Sequence, residues 1–192
     1  DDIVIIAGDI SWGLKLDEAM ADLDWIHELP GQKVLLRGNH DLWWCRIQYL
    51  RTLYDDMHFL QNDCYYVEAL DLAICGSRGW PTPDTVSYTE HDEKMYLREQ
   101  GRLRNSLVEA KKKGASRIIM AMHYPPAKVE ETEFTRIMKE YGVTQCVYGH
   151  LHGMVAWTNG IKGEHGGIDY KLVSLDYLGA KPKLIYDSEQ EK

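Results

Sequence analysis

Short apolar runs broken off by Gly or a polar residue recur along this chain. Ile3-Val4-Ile5-Ile6-Ala7 runs into Gly8-Asp9, and Val34-Leu35-Leu36 into Gly38-Asn39-His40-Asp41. Ile118-Ile119-Met120-Ala121-Met122 runs into His123, and Cys146-Val147-Tyr148 into Gly149-His150-Leu151-His152. Such runs are the pattern of buried parallel strands, and open α/β sheets build their sites just beyond strand ends. The pattern predicts four strands that deliver polar side chains to one rim of one sheet.

Amphipathic stretches alternate with these runs, as in an α/β fold. Leu16, Met20, Leu23 and Ile26 recur at a spacing that keeps one face apolar, which predicts a helix from Leu16 to Leu29 ended by Pro30-Gly31. Lys33 to Arg37 reads as the next strand and Trp43 to Tyr54 as a helix. Met57 to Leu60, Tyr65 to Leu70 and Leu72 to Cys75 read as strands joined by tight turns. Gly76 to Thr89 lacks periodicity and reads as a long loop, a feature that is often functional. His91 to Lys113 is the longest helical pattern, with Gly114 as its cap. A strand at Arg117 to Met122, a helix at Thr132 to Tyr141 and strands at Gln145 to Tyr148, Ile168 to Leu175 and Pro182 to Tyr186 complete the reading. There is no internal repeat, linker or low-complexity tract.

Composition narrows the function classes. The 192 residues suit one domain, residues 1–192, with a substantial core. A formal charge of −8 argues against general nucleic-acid affinity, which needs clustered Lys and Arg. The one basic run, Lys111-Lys112-Lys113, falls at a predicted helix end, where cations complement the dipole. Cys45, Cys64, Cys75 and Cys146 lack CxxC spacing and read as buried free thiols of a reducing compartment. No window has the length and apolarity of a membrane span, and no signal-peptide pattern is visible, so a cytoplasmic location is expected.

Asn and His with a bridging carboxylate suit a hydrolytic two-metal site, because neutral imidazole and amide oxygen bind divalent ions without cancelling all their charge. Asp9 reads equally well as that bridge or as a cap for the next element. His150 and His152, spaced HxH in a turn, can point to neighbouring ions. Arg37, Arg78 and Tyr124 flank these positions and are candidate substrate contacts, Arg being suited to bidentate recognition of phosphate. Trp43 and Trp44 favour a core role over substrate contact. His27, His91 and His165 read as structural or exposed.

In order, the GD, GNHD, H and GHxH motifs resemble those of the calcineurin-like metallophosphoesterase superfamily, over Gly8 to His152. The resemblance implies an α/β fold of four layers, two mixed sheets packed as a sandwich between helices. It implies that Asp9 bridges two divalent ions, that Asn39, His123 and His150 complete one of them, and that His152 serves the other. His40 becomes the proton donor to the leaving oxygen, with Asp41 holding its ring in the useful tautomer. The ions are Mn, Fe, Zn, Ni or Co, among which these ligands do not choose.

The family's first-strand DxH is absent. With no initiating Met, this predicts an N-terminally incomplete chain that lacks the first strand and helix and holds its second ion weakly or not at all. A naturally reduced, one-metal or inert relative is the competing reading. Asp56-Met57-His58 lies after GNHD and away from the rim, so it is read as a decoy.

The implied reaction is phosphoester hydrolysis, as phosphatase or phosphodiesterase, by a metal-activated hydroxide with His40 as general acid. The alternatives are a binding scaffold of the same fold, weak or inert in catalysis, and a nuclease of the same superfamily. The expected partner is a phosphorylated small molecule or protein, with no membrane, and the acidic balance disfavours nucleic acid. Oligomeric state is open.

Overall fold

Side-chain alternation along the strands builds the layers. In the computed structural model, which describes residues 2–189, β1 (Ile3–Ile6), β2 (Gln32–Leu36) and β3 (Met57–Leu60) form a parallel sheet in that order. A mixed six-stranded sheet has the order β4 (Cys64–Val67), β5 (Leu72–Ser77), β6 (Arg117–Met122), β7 (Gln145–Tyr148), β9 (Ile168–Leu172) and β8 (Gly163–His165). Val34, Leu36 and Leu60 of the first sheet pack against Ile74, Ala121 and Val147 of the second, which makes the inner apolar layer. Gly76 keeps that interface thin: a Cβ there would lie 2.9 Å from Leu60 Cδ1 and 3.0 Å from Leu36 Cδ1.

The outward faces are covered by helices. Leu35, Met57 and Phe59 meet Ala19, Leu23 and Ile26 of α1 (Leu16–Glu28). Cys75, Ile118, Met120, Cys146 and Tyr148 meet α3 (Glu90–Lys112) and α4 (Glu133–Glu140) through Leu103, Leu107, Phe134 and Ile137. Both of these helices start on a capping box, Thr89 with Asp92 and Thr132 with Thr135, which satisfies otherwise orphaned N–H groups. The Lys33 ammonium is buried against the last carbonyls of α1 and bonded to Asp56, a cation where the helix dipole favours one. The result is the expected four-layer α/β sandwich.

Several expectations are corrected. The metal-type residues lie at the ends of strands from two sheets, β1 and β2 in one and β6 and β7 in the other. The helix expected over Trp43 to Tyr54 shrinks to α2 (Ile47–Leu50). Trp43 and Trp44 are pinned instead by bonds from their indoles to Asp41 and Gln61, and tertiary anchoring overrides helical spacing. Tyr65 to Leu70 divides into β4 and a 3-10 turn, and no strand forms over residues 182–186. The short α5 (Met154–Trp157) and β8 lay below what periodicity reveals. Cys75 and Cys146 are buried thiols, but Cys45 is exposed.

Candidate metal centre

The site begins with backbone crowding at the strand ends. Gly8 has φ of +86°, and a Cβ there would lie 2.6 Å from His123 Nδ1 and 2.7 Å from the Gly38 backbone. The loops after β1 and β2 therefore touch the loop after β6 with no room for a side chain between them. Asp9 and His150 both hold positive φ, +56° and +68°. Such backbone is uncommon outside glycine and concentrates at functional sites.

Four side chains converge at this crossing. His123 Nε2 lies 2.7 Å from Asn39 Oδ1 and 3.4 Å from Asp9 Oδ2. His150 Nδ1 lies 2.9 Å from the same Asn39 oxygen and 3.2 Å from His123 Nε2. Asp9, His123 and His150 offer ligand atoms all within 4.8 Å of one another. The other ring nitrogen of His123, Nδ1, faces the Ala7 carbonyl at 2.9 Å, which makes Nδ1 the proton carrier and leaves Nε2 with a bare lone pair. A single hydrogen between the rings satisfies only part of this cluster, whereas one cation satisfies all of it.

Burial sets the charge of the imidazoles. It pushes His150 down to about 4, with a further push from neighbouring His123. Burial also lowers His123, opposed by the Asp9 carboxylate. Near pH 7 both rings are neutral, the form that ligates.

The remaining expected residues divide. His40 is exposed, its backbone N–H donates to Asp9 Oδ1 at 2.9 Å, and its ring stacks on Trp12 at 4.2 Å between centroids. Asp41 does not hold the His40 ring. Fully buried, it accepts from the backbone N–H groups of Asp9, Ile10, Ser11 and Gly38 and from the Trp43 indole, at 2.7 to 3.1 Å. It ties the loop after β1 to the loop after β2. His152 stands outside the cluster, with Nδ1 3.1 Å from Asp176, whose other oxygen accepts from Gly153 N–H at 2.8 Å.

Tyr124 packs its ring 4.2 Å from His150, and the Arg78 carbonyl accepts from the backbone N–H groups of His123 and Tyr124. The Arg78 guanidinium lies 4.6 Å over Trp80. Arg37, half-buried, leads directly into Gly38. Asp56 and His58 enter separate partnerships, Asp56 with Lys33 and His27 and His58 with Asp63 at 3.0 Å. Trp12 and Asp176 were not anticipated. Trp12 has no motif signal, and Asp176 lies beyond the last motif.

The donor set of two imidazoles, one amide oxygen and one carboxylate fits a divalent ion that accepts mixed N and O ligands. Among the described residues, one other cluster of ligand type, His27, Asp55 and Asp56, is largely exposed and already holds the Lys33 ammonium on Asp56. No described helix is long and apolar enough to cross a membrane. A family model described as calcineurin-like phosphoesterase matches residues 1–154, a span that contains all four converging side chains. A comparison with curated proteins returned no match.

Proposed function

The chain belongs to the calcineurin-like phosphoesterase family, and from that premise we propose that it hydrolyses a phosphoester with a divalent ion held by Asp9, Asn39, His123 and His150. The observation that carries this reading is the convergence of His123 Nε2, His150 Nδ1 and Asn39 Oδ1 within 3.2 Å of one another beside Asp9. When bound, such an ion supplies charge neutralisation at the phosphoryl oxygens and acidifies a water.

The chain's own residues do the rest. Asp9 fixes the His40 backbone through Oδ1 while it turns Oδ2 towards His123, so one carboxylate couples the ligand cluster to the proton donor. His40, held by its stack on Trp12, donates a proton to the departing oxygen. Arg37, Arg78 and Tyr124 contact the substrate from the borders of the cluster. His152 joins Asp176 as a separate pair beside it, a place for a second ion. The substrate is a phosphorylated small molecule or protein.

The test is metal analysis of chain purified without chelator, followed by phosphomonoesters and phosphodiesters with Mn, Fe, Zn, Ni and Co added back. Metal uptake abolished by His123→Ala, together with turnover, is the expected result. Stoichiometric metal with no turnover of any ester would make the chain a binding scaffold instead.

A further inference from the structure

Away from the four converging side chains, two thiols face each other across a strand pair. Cys64 of β4 lies directly opposite Cys75 of β5 in antiparallel register. Opposed residues of such a pair project from the same face of the sheet with Cα atoms about 4.5 to 5.5 Å apart, within the span that a disulfide bridges. The packing agrees, because Cys75 is completely buried in the core beneath α3 and Cys64 packs against the same apolar cluster. Both are free thiols, and their sulfurs are in hydrogen-bond contact.

Ser106 of α3 fixes the pair from outside the sheet. Its hydroxyl donates to the Asp63 carbonyl at 2.5 Å and accepts from the Gly76 N–H at 2.9 Å. It thereby holds the residue before one cysteine and the residue after the other, and its own carbonyl lies 3.5 Å from Cys75 Sγ. With the backbone set on both sides, little chain entropy remains to be lost when the sulfurs join.

The two thiols differ in access and in charge. Cys64 is half-buried on an outer strand of the six-stranded sheet, while Cys75 is closed off from solvent. The hydrogen bond from Cys75 holds the Cys64 thiol below the ordinary thiol range, aided by the Lys113 ammonium and opposed by burial and by the Asp63 and Glu109 carboxylates. The same contact, together with burial, holds Cys75 well above that range. An accessible thiolate reacts first with an oxidant, and a neighbouring thiol then resolves the product.

We propose that Cys64 and Cys75 are a reversible oxidation site, which hydrogen peroxide converts to a disulfide with Cys64 as the attacking and Cys75 as the resolving thiol. The Cys64 sulfur attacks the peroxide, an S–O bond forms and the O–O bond breaks, and the departing hydroxide takes up the proton that Cys64 released. The Cys75 sulfur then attacks the Cys64 sulfur. The S–S bond forms, the S–O bond breaks, and the hydroxide leaves with the Cys75 proton as a second water. The two thiols give up two electrons, and the peroxide takes them. Two molecules of a small thiol such as glutathione return these electrons by exchange and are themselves joined as a disulfide. No step depends on the phosphoesterase reading.

The experiment treats the unmutated chain and Cys45→Ser, which removes the exposed thiol, with a small excess of hydrogen peroxide in native buffer containing chelator. Remaining thiols are alkylated before digestion and peptide mapping. Cys45→Ser should lose about 2 Da, the two hydrogens of a new disulfide, and give one linked peptide pair that joins Cys64 to Cys75. Dithiothreitol should restore both thiols. In Cys75→Ser the bridge cannot form, and Cys64 should gain about 16 Da as a sulfenic acid that dimedone traps. Cys64→Ser should leave Cys75 reduced.

Survival of both thiols at peroxide levels that oxidise the exposed Cys45 overturns the site. A bridge from Cys64 to Cys45, to Cys146 or to a second chain overturns the pairing, as does conversion of Cys64 to a sulfinic acid with Cys75 untouched. These readouts come from the unmutated chain, so they decide the matter even if the serine variants at 64 and 75 fail to fold.

Discussion

Asp41 is the residue on which most of the local geometry depends, and its role differs from the one its motif suggests. Its two oxygens accept five N–H groups from two loops and an indole, so the carboxylate organises backbone and leaves the His40 ring to Trp12. Asp41→Asn places an NH₂ group against donors. The expected cost is about 3 kcal/mol, the scale of a lost bond to a charged group together with an unsatisfied partner. Urea unfolding measures this, and metal content should fall with it; a variant as stable as the unmutated chain would remove Asp41 from its organising role. His40 behaves differently, because it is exposed and lies outside the ligand cluster. His40→Ala should lower turnover of a substrate with a poor leaving group on the order of 10²-fold or more while metal content is retained. Trp12→Ala should give a smaller loss in the same direction. Unchanged turnover in His40→Ala would assign the proton to another group.

At the level of elements, the site is made by four strand ends that meet without intervening side chains. Asp9 follows β1, Asn39 follows β2, His123 follows β6 and His150 follows β7. Gly8 is the point of closest approach, and its left-handed φ adds a second reason for glycine. Gly8→Ala should displace the His123 ring and weaken metal binding at least about tenfold, by calorimetric titration, even where the fold survives. Native affinity in that variant would show that the crossing has slack. These strand ends were legible because apolar runs ending in Gly or His are local patterns. That they belong to two sheets was not legible, since pairing between β1 and β2 or β6 and β7 leaves no mark on either run. The bond from Trp43 to Asp41 and the turn of His152 towards Asp176 are likewise contacts that spacing alone does not encode. The helical periodicity after Trp43 was genuine in pattern, but the two indoles are held by polar partners in the loop and the helix starts only at Ile47.

Across the whole molecule the four converging side chains clip one sheet to the other, because Asp9 and Asn39 follow strands of the three-stranded sheet and His123 and His150 follow strands of the six-stranded sheet. Metal and proton should therefore act on global stability in opposite senses. Burial and then His123 hold the His150 imidazole down to about 4, below its ordinary value of 6.5. Between those limits the unfolded chain binds a proton that the folded chain does not. Folding stability is then fully present above about pH 6.5 and is lost as the pH falls towards 4, the sign required of a depressed group. On the proposed reading, a divalent ion should bind the folded cluster and not the dispersed side chains of the unfolded chain. At a hundredfold excess over its Kd it adds about 2.7 kcal/mol. Urea midpoints measured from pH 4 to 8, with chelator and with each metal in turn, should rise with pH to a plateau near neutrality and shift upward with the ion. His150→Asn should flatten the rise and remove most of the metal shift. A metal shift that survives both His150→Asn and His123→Ala would place the ion elsewhere, and an unchanged midpoint with every metal would show that the two sheets are held by the inner apolar layer alone.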